Sequence, residues 1–284
     1  MRNFLFVPGN SPKMLSSANF LGSDAITIDL EDSVAPGEKD AARILVRSAI
    51  QTFNYDVCYG IRINSLDTPF WKADLRELLP LNPEFIMLPK TADKFSILTL
   101  VAEMEAIEKE FGITNEAYII ALIETAEGLE NAYAVAGAHE RVKALFLGAE
   151  DLTANLCAKR TKEGQEILYA RSRLVCAARA AGIDTYDTPF TDVEDIEALK
   201  RDAALARQLG FTGKASIHPS HIDLINSCFD PTPEEIAFSL EVMETIERGK
   251  KEGKGAVALH GKMIDAPIVA RAEYILKLAG GKKQ

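Results

Sequence analysis

Eight short apolar or β-branched runs alternate with helical segments along most of the chain, and this repeat limits the fold more than any other feature. The runs are "FLFVPG" (4–9), "AITIDLED" (25–32), "VCYGIRIN" (57–64), "FIMLPK" (85–90), "YIIALIE" (118–124), "ALFLGAED" (144–151), "TYDTPF" (185–190) and "ASIHP" (215–219). They are continuously hydrophobic, not alternating, as expected for parallel strands buried on both faces. Segments with helical spacing lie between them, among them 98–111 and 192–210, the second closing on a C-cap-like Gly210. Eight strand-plus-helix units in about 250 residues predict a (β/α)8 TIM barrel. A doubly wound open sheet is the rival, but no GxGxxG or GxxxxGK[ST] follows any run, and the first turn, "PGNSPK", has a single glycine. The expected organisation is a catalytic barrel over residues 1–230 and a C-terminal helical extension over 231–284. That extension reads as two helices joined by a glycine-rich turn, able to cap the barrel or swap to a neighbour.

Composition narrows the partners. A formal net charge of −10 argues against nucleic acid and anionic membrane, both of which need a basic surface. No apolar run approaches the ~20 residues of a membrane helix. The opening "MRNFLFVPGN" lacks the apolar core of a secretion signal, so the expected location is cytoplasmic. Cys58, Cys157, Cys176 and Cys228 are far apart with no CxxC pair, and read as reduced packing residues. The partner is then a small molecule or a protein.

In such a barrel the chemistry collects where the strands end. The strand ends supply Glu31 and Asp32, Arg62 and Asn64, Lys90, Glu124, then Glu150 and Asp151, with Asp187 in the seventh run and His218 in the eighth. Carboxylates converging on one mouth repel unless a cation joins them, and hard oxygen donors favour Mg2+ or Mn2+ over zinc. Asp151 and Glu124 are the candidate ligands, with Gly148 letting the chain turn out of the barrel. Each residue also has a plainer role. An acid after a strand often caps a helix, Arg62 can belong to a structural ion pair, His218 and His221 suit capping or packing, and Lys90 can simply neutralise the mouth.

The same residues carry a family resemblance. From "RNFLFVPGNSPKML" through "DAITIDLEDSV", "IRIN", "LPKT", "IETAEG", "LGAEDL", "GKASIHPSHIDLIN" and "GKMIDAPIVARA", the chain resembles the citrate lyase β subunits and their malyl-CoA and citramalyl-CoA lyase relatives, within the HpcH/HpaI aldolase group. The resemblance implies a (β/α)8 barrel, usually a homotrimer, in which a C-terminal segment reaches a neighbour's site. It makes Glu124 and Asp151 direct Mg2+ ligands and lets Glu31 and Asp32 hold metal-bound waters. Arg62 would contact substrate oxygens, with Glu124 and Asn64 as further substrate contacts. Asp265 of "GKMID" would complete an adjacent subunit's catalytic site, and Arg2 and Lys13 would meet the phosphates of a pantetheine or CoA carrier. The chain departs from the pattern at Asn3, where serine is common, and at Leu152, where several relatives have an aromatic that would change the pocket wall.

The implied reaction is a retro-Claisen cleavage of a 3-hydroxyacyl thioester. The stretch "RTKEGQEILYARSRLVCAARAAGIDTYDTPFTD" is most similar to citrate lyase β subunits, which implies citryl thioester on an acyl carrier protein, with α and γ subunits as partners. A stand-alone malyl-CoA or citramalyl-CoA lyase stays open, favoured by the acidic charge, which suits an acidic carrier protein poorly. Also open are an aldolase for free 2-oxo acids and a non-catalytic barrel subunit, though the latter would be expected to lose Glu124, Asp151 or Arg62.

Overall fold

A computed structural model of the chain describes residues 1–251 and 257–280. Its described residues form two compact units, Met1–Phe229 and a second that begins at Asp230. In the first unit eight parallel strands close into a barrel in sequential order. They are β1 (Asn3–Pro8), β2 (Ala25–Asp29), β3 (Cys58–Arg62), β4 (Phe85–Leu88), β5 (Tyr118–Ile123), β6 (Val142–Leu147), β7 (Asp184–Asp187) and β8 (Gly213–Ser216). Each of the eight sequence runs contains or overlaps one strand. Several runs also take in the loop that follows, because apolar character continues one or two residues past the last ladder hydrogen bond.

Side-chain alternation along the strands decides what faces where. Phe4, Phe85, Met87, Ile120, Leu122, Phe146 and Tyr186 pack together inside the barrel. Their neighbours Leu5, Ile86, Leu88, Ile119, Ile123 and Leu145 belong to a second cluster with the surrounding helices. Phe4 meets Phe146 edge-on, with centroids 5.7 Å apart and planes at 90°, and Tyr186 packs tilted against both. This aromatic plug fills the barrel, so a ligand has room only at its mouth. The same parity sends Asp29, Arg62 and Glu124 inward at the strand ends. Asp187 has the opposite parity and points out towards the helices.

The helices follow the sequence expectation closely. Residues 98–111 fall in the helix Lys94–Phe111, and the helix Ile196–Leu209 ends on Gly210 at φ 104°. The second unit contains helices Pro233–Lys251 and Ala266–Gly280. Between them lies an unexpected hairpin of β9 (Val257–Leu259) and β10 (Lys262–Ile264). Its two turn residues, His260 and Gly261, both have positive φ (49° and 76°), as a tight hairpin of this hand requires. The expected glycine-rich turn falls on residues 252–256, outside the described residues. All four cysteines are unpaired, but Cys157 and Cys176 are exposed and so are not packing residues.

Candidate active site

The β2 and β3 ends are registered so that Asp29 and Arg62 are direct cross-strand partners. The Arg62 guanidinium donates to both oxygens of Asp29, Nε to Oδ1 and Nη2 to Oδ2, each at 2.7 Å. Its Nη1 lies 3.1 Å from Glu31 Oε2 and 3.4 Å from Asp32 Oδ2, and its Cζ stands 5.2 Å from the Phe6 ring centroid. Burial alone would raise the Asp29 carboxyl, but the charge and hydrogen bonds of Arg62 outweigh it and hold the group below its usual range. The same carboxylates drive Arg62 above its already high value despite burial. Arg62 is therefore a fixed cation with one edge committed to Asp29.

Glu124 follows β5 and is 3% exposed. Its Oε1 accepts from the Lys90 amide at 2.7 Å. Lys90 has φ 50°, a left-handed conformation unfavourable for a side chain of this kind. The Lys90 ammonium lies 2.8 Å from Glu31 Oε1. Burial, then the nearby charges of Glu31 and Asp151, push the Glu124 carboxyl up to about 8, against the lowering effect of the Lys90 amide and Arg62.

Asp151 lies in the first turn of the helix Ala149–Asn155, directly after β6. The helix start is tied to the next strand by the Ala149 amide, which donates to Thr188 Oγ1 at 3.1 Å. Gly148 has φ −101°, a value open to any residue, so it is not present for conformational freedom. Its role is space: a Cβ there would fall 2.5 Å from Glu124 Oε2. Seven strand ends contribute Pro8, Asp29, Arg62, Glu124, Asp151, Thr188 and Ile217 to the lining of one cavity of about 390 Å3, with Phe6, Leu122 and Phe146 as its apolar floor.

The donor set suits a small hard cation. Among the described residues no three His, Cys, Asp or Glu side chains form a ready-made cage. Mg2+ needs only one or two carboxylates and keeps its remaining positions for water or substrate. Glu124 and Asp151 supply two carboxylates on one cavity, and the upward push on Glu124 is relieved by a divalent charge beside it.

The other sequence candidates, Glu150 apart, are placed elsewhere. Asn64 is buried, and its amide and side-chain nitrogen both donate to Asp74 Oδ2, at 2.9 and 2.7 Å, so it braces a loop and does not face the cavity. Asp187 is held by Arg171 at 2.8 Å and Lys214 at 2.6 Å in a buried network that also includes Asp202. Arg2 precedes β1, at the amino ends of the strands, and pairs with Asp24; this is the end opposite the cavity. Lys13 is exposed on the helix Pro12–Ser17. Glu150 is exposed at the rim of the cavity, which it helps to line, and bridges to Arg160 at 3.0 Å. His218 caps the turn Pro219–His221, and His221 is buried against the Val193 carbonyl. Asn3 is buried and accepts from Ser23 and Ser216. Leu152 packs in the outer core and does not line the cavity, so its departure from an aromatic leaves the wall unaffected. Asp265 caps the helix Ala266–Gly280 in the second unit, accepting from the Ile268 amide at 3.2 Å, and is exposed there. Sequence reading missed Asp29, whose signal was the pairing of "AITID" with "YGIR".

Residues 2–219 match the HpcH/HpaI aldolase/citrate lyase family. Over 98% of its length the chain is 41% identical to the citrate lyase subunit beta of Leuconostoc mesenteroides, covering 93% of that protein. It is 33% identical to the L-malyl-CoA/beta-methylmalyl-CoA lyase of Cereibacter sphaeroides, over 97% of this chain and 93% of that one. A solved structure of CitE from Mycobacterium tuberculosis, in complex with magnesium, acetoacetate and coenzyme A, is 30% identical with a TM-score of 0.81, covering 98% of both chains. The chain belongs to the HpcH/HpaI aldolase/citrate lyase family.

Proposed function

We propose that this chain is a Mg2+-dependent carbon–carbon lyase that cleaves a 3-hydroxyacyl thioester by retro-Claisen chemistry. Its preferred substrate is citryl on an acyl carrier protein, giving oxaloacetate and the acetyl carrier. The observation that carries this reading is that Glu124, Asp151 and an Asp29-locked Arg62 line one cavity at the carboxyl ends of the strands. Glu124 and Asp151 would hold the cation, with Mn2+ able to replace Mg2+, and Glu31 and Asp32 would order the waters around it. When bound, the cation lowers the pKa of the substrate hydroxyl and neutralises its adjacent carboxylate. Arg62 faces the oxygen on which negative charge grows as the thioester enolate departs, and because Asp29 holds it in advance it needs no reorganisation. The apolar floor of Phe6, Leu122 and Phe146 excludes water from the breaking bond.

Asp265 is assigned to the site of a neighbouring subunit in a homotrimer, where it would take part in proton transfer. Two carrier readings compete. The 41% identity to a citrate lyase β subunit supports acyl carrier protein, with α and γ subunits as partners in the cytoplasm. The net charge of −10 supports a stand-alone CoA-thioester lyase acting on malyl-CoA or citramalyl-CoA. Among the described residues no helix is long and apolar enough to cross a membrane.

Incubation with Mg2+ and, separately, citryl, malyl and citramalyl thioesters, on CoA and on acyl carrier protein, tests this. Release of a 2-oxo acid that stops with EDTA supports the lyase and names its acyl group and carrier. Silence with every thioester contradicts it and favours a non-catalytic barrel subunit.

A further inference from the structure

Glu31 and Asp32 lie on the turn that follows β2, and something must hold that turn rigid if both are to stay against Arg62. The turn's amides are held from one side: Asp29 Oδ1 accepts from the Glu31 amide at 2.9 Å and Oδ2 from the Ser33 amide at 3.0 Å. Its carbonyls are held from the other. Lys39 Nζ donates to the Leu30 carbonyl at 2.7 Å and to the Glu31 carbonyl at 2.6 Å. Lys39 is 7% exposed, at the first position of the helix Lys39–Phe53. Burial lowers its pKa, and the charges of Asp29, Glu31, Asp74 and Asp32 oppose that lowering.

A buried ammonium that binds two backbone carbonyls is unusual, because a buried charge is normally placed against a carboxylate. Here the acids are close enough to compensate its charge while its protons serve the backbone. The same helix carries a second buried cation one turn later, this one paired with carboxylates. Arg43 Nε donates to Asp74 Oδ1 at 3.0 Å, and Asp74 Oδ2 holds Asn64, two residues beyond Arg62. A further turn along, Arg47 pairs with the half-exposed Glu77, and neither lines the cavity.

We infer that Lys39 is a positioning residue of the active site: its buried ammonium fastens the Leu30–Glu31 backbone and so fixes Glu31 and Asp32 against Arg62. Its effect on turnover rests on the lyase reading above; its effect on the turn does not. Outer partners of this kind typically change activity by about 10- to 100-fold.

The test compares Lys39→Met, Lys39→Gln and the control Arg47→Met in two measurements. The first is amide hydrogen exchange of residues 30–34 and of the helix 39–53. The second is kcat and KM for the thioester that the wild-type protein cleaves. Lys39→Met is expected to speed exchange in the turn by about tenfold or more with the helix still protected, and to lower kcat by about 10- to 100-fold with KM little changed. Lys39→Gln, which cannot reach both carbonyls, is expected to fall between Met and wild type, and it decides the matter if Lys39→Met does not fold. Arg47→Met is expected to leave both measurements at wild-type values. Wild-type exchange in the turn of the folded variants, or a loss of protection spread across the whole barrel, overturns the inference. If the wild-type protein cleaves no thioester, the lyase reading fails and the exchange measurement still decides the role of Lys39.

Discussion

Gly148 and Glu124 occupy adjoining space with no room for a methyl group between them: a Cβ at residue 148 would stand 2.5 Å from Glu124 Oε2 and 2.7 Å from Glu124 Cβ. Gly148→Ala must therefore displace the carboxylate. It is expected to cost about 1–3 kcal/mol of stability and about 100-fold in kcat, read by urea denaturation and a thioester cleavage assay. Wild-type turnover in that variant would show that Glu124 need not sit where it does.

Arg62 and Asp29 form a buried two-point pair, so removing one partner strands the other. Arg62→Met is expected to destabilise the fold by about 3–5 kcal/mol, with Arg62→Met/Asp29→Leu recovering part of that loss. Chemical denaturation of the single and double variants gives the coupling. Turnover stays abolished in both, which separates the structural role of the pair from the role of the guanidinium in the reaction.

Glu124 gives the metal-free protein a pH dependence of definite sign. Its folded-state pKa, about 8, lies above the ordinary carboxylate value of 4.5. A raised pKa contributes stability that is fully present below the ordinary value and is lost as pH rises through the folded value. Relative to Glu124→Gln, the metal-free wild-type protein is thus expected to lose stability steadily between about pH 4.5 and 8. Added Mg2+ requires the deprotonated carboxylate, so its stabilising effect grows over the same window. Thermal melts of both proteins, with and without Mg2+, across that range check the sign.

Asp265 is exposed at the start of the helix Ala266–Gly280, and its assignment to a neighbour's site has a genetic-style test. Asp265→Asn and Glu124→Ala are each expected to be inactive. Mixing them under conditions that exchange subunits restores part of the activity, because some sites then combine an intact Glu124 with an intact Asp265. No recovery on mixing, with exchange confirmed, would place Asp265 outside the site.

The barrel was legible because strand periodicity and strand number are written locally, and strand ends are where a barrel presents its chemistry. Glu124, Asp151 and Arg62 are singled out that way, and all three line the cavity. Asp187 was misplaced because its position along β7 was read without its parity, which turns it outward to Arg171 and Lys214. Asn64 lies beyond its strand and is claimed by Asp74, a partner 10 residues away that no strand pattern reveals. Asp29 required the register between β2 and β3. Lys39 was invisible because its partners are backbone carbonyls, which every residue has. Gly148 was seen, but as a turn glycine; its actual constraint is a side chain that arrives from another strand.

The most direct test of the account is the Mg2+ dissociation constant of the purified protein at pH 8, measured by titration calorimetry alongside Glu124→Gln and Asp151→Asn. The wild-type protein is expected to show a site that weakens strongly or disappears in each variant, with the folded structure retained. Unchanged Mg2+ binding in both variants would contradict the assignment of Glu124 and Asp151 as the residues that hold the cation.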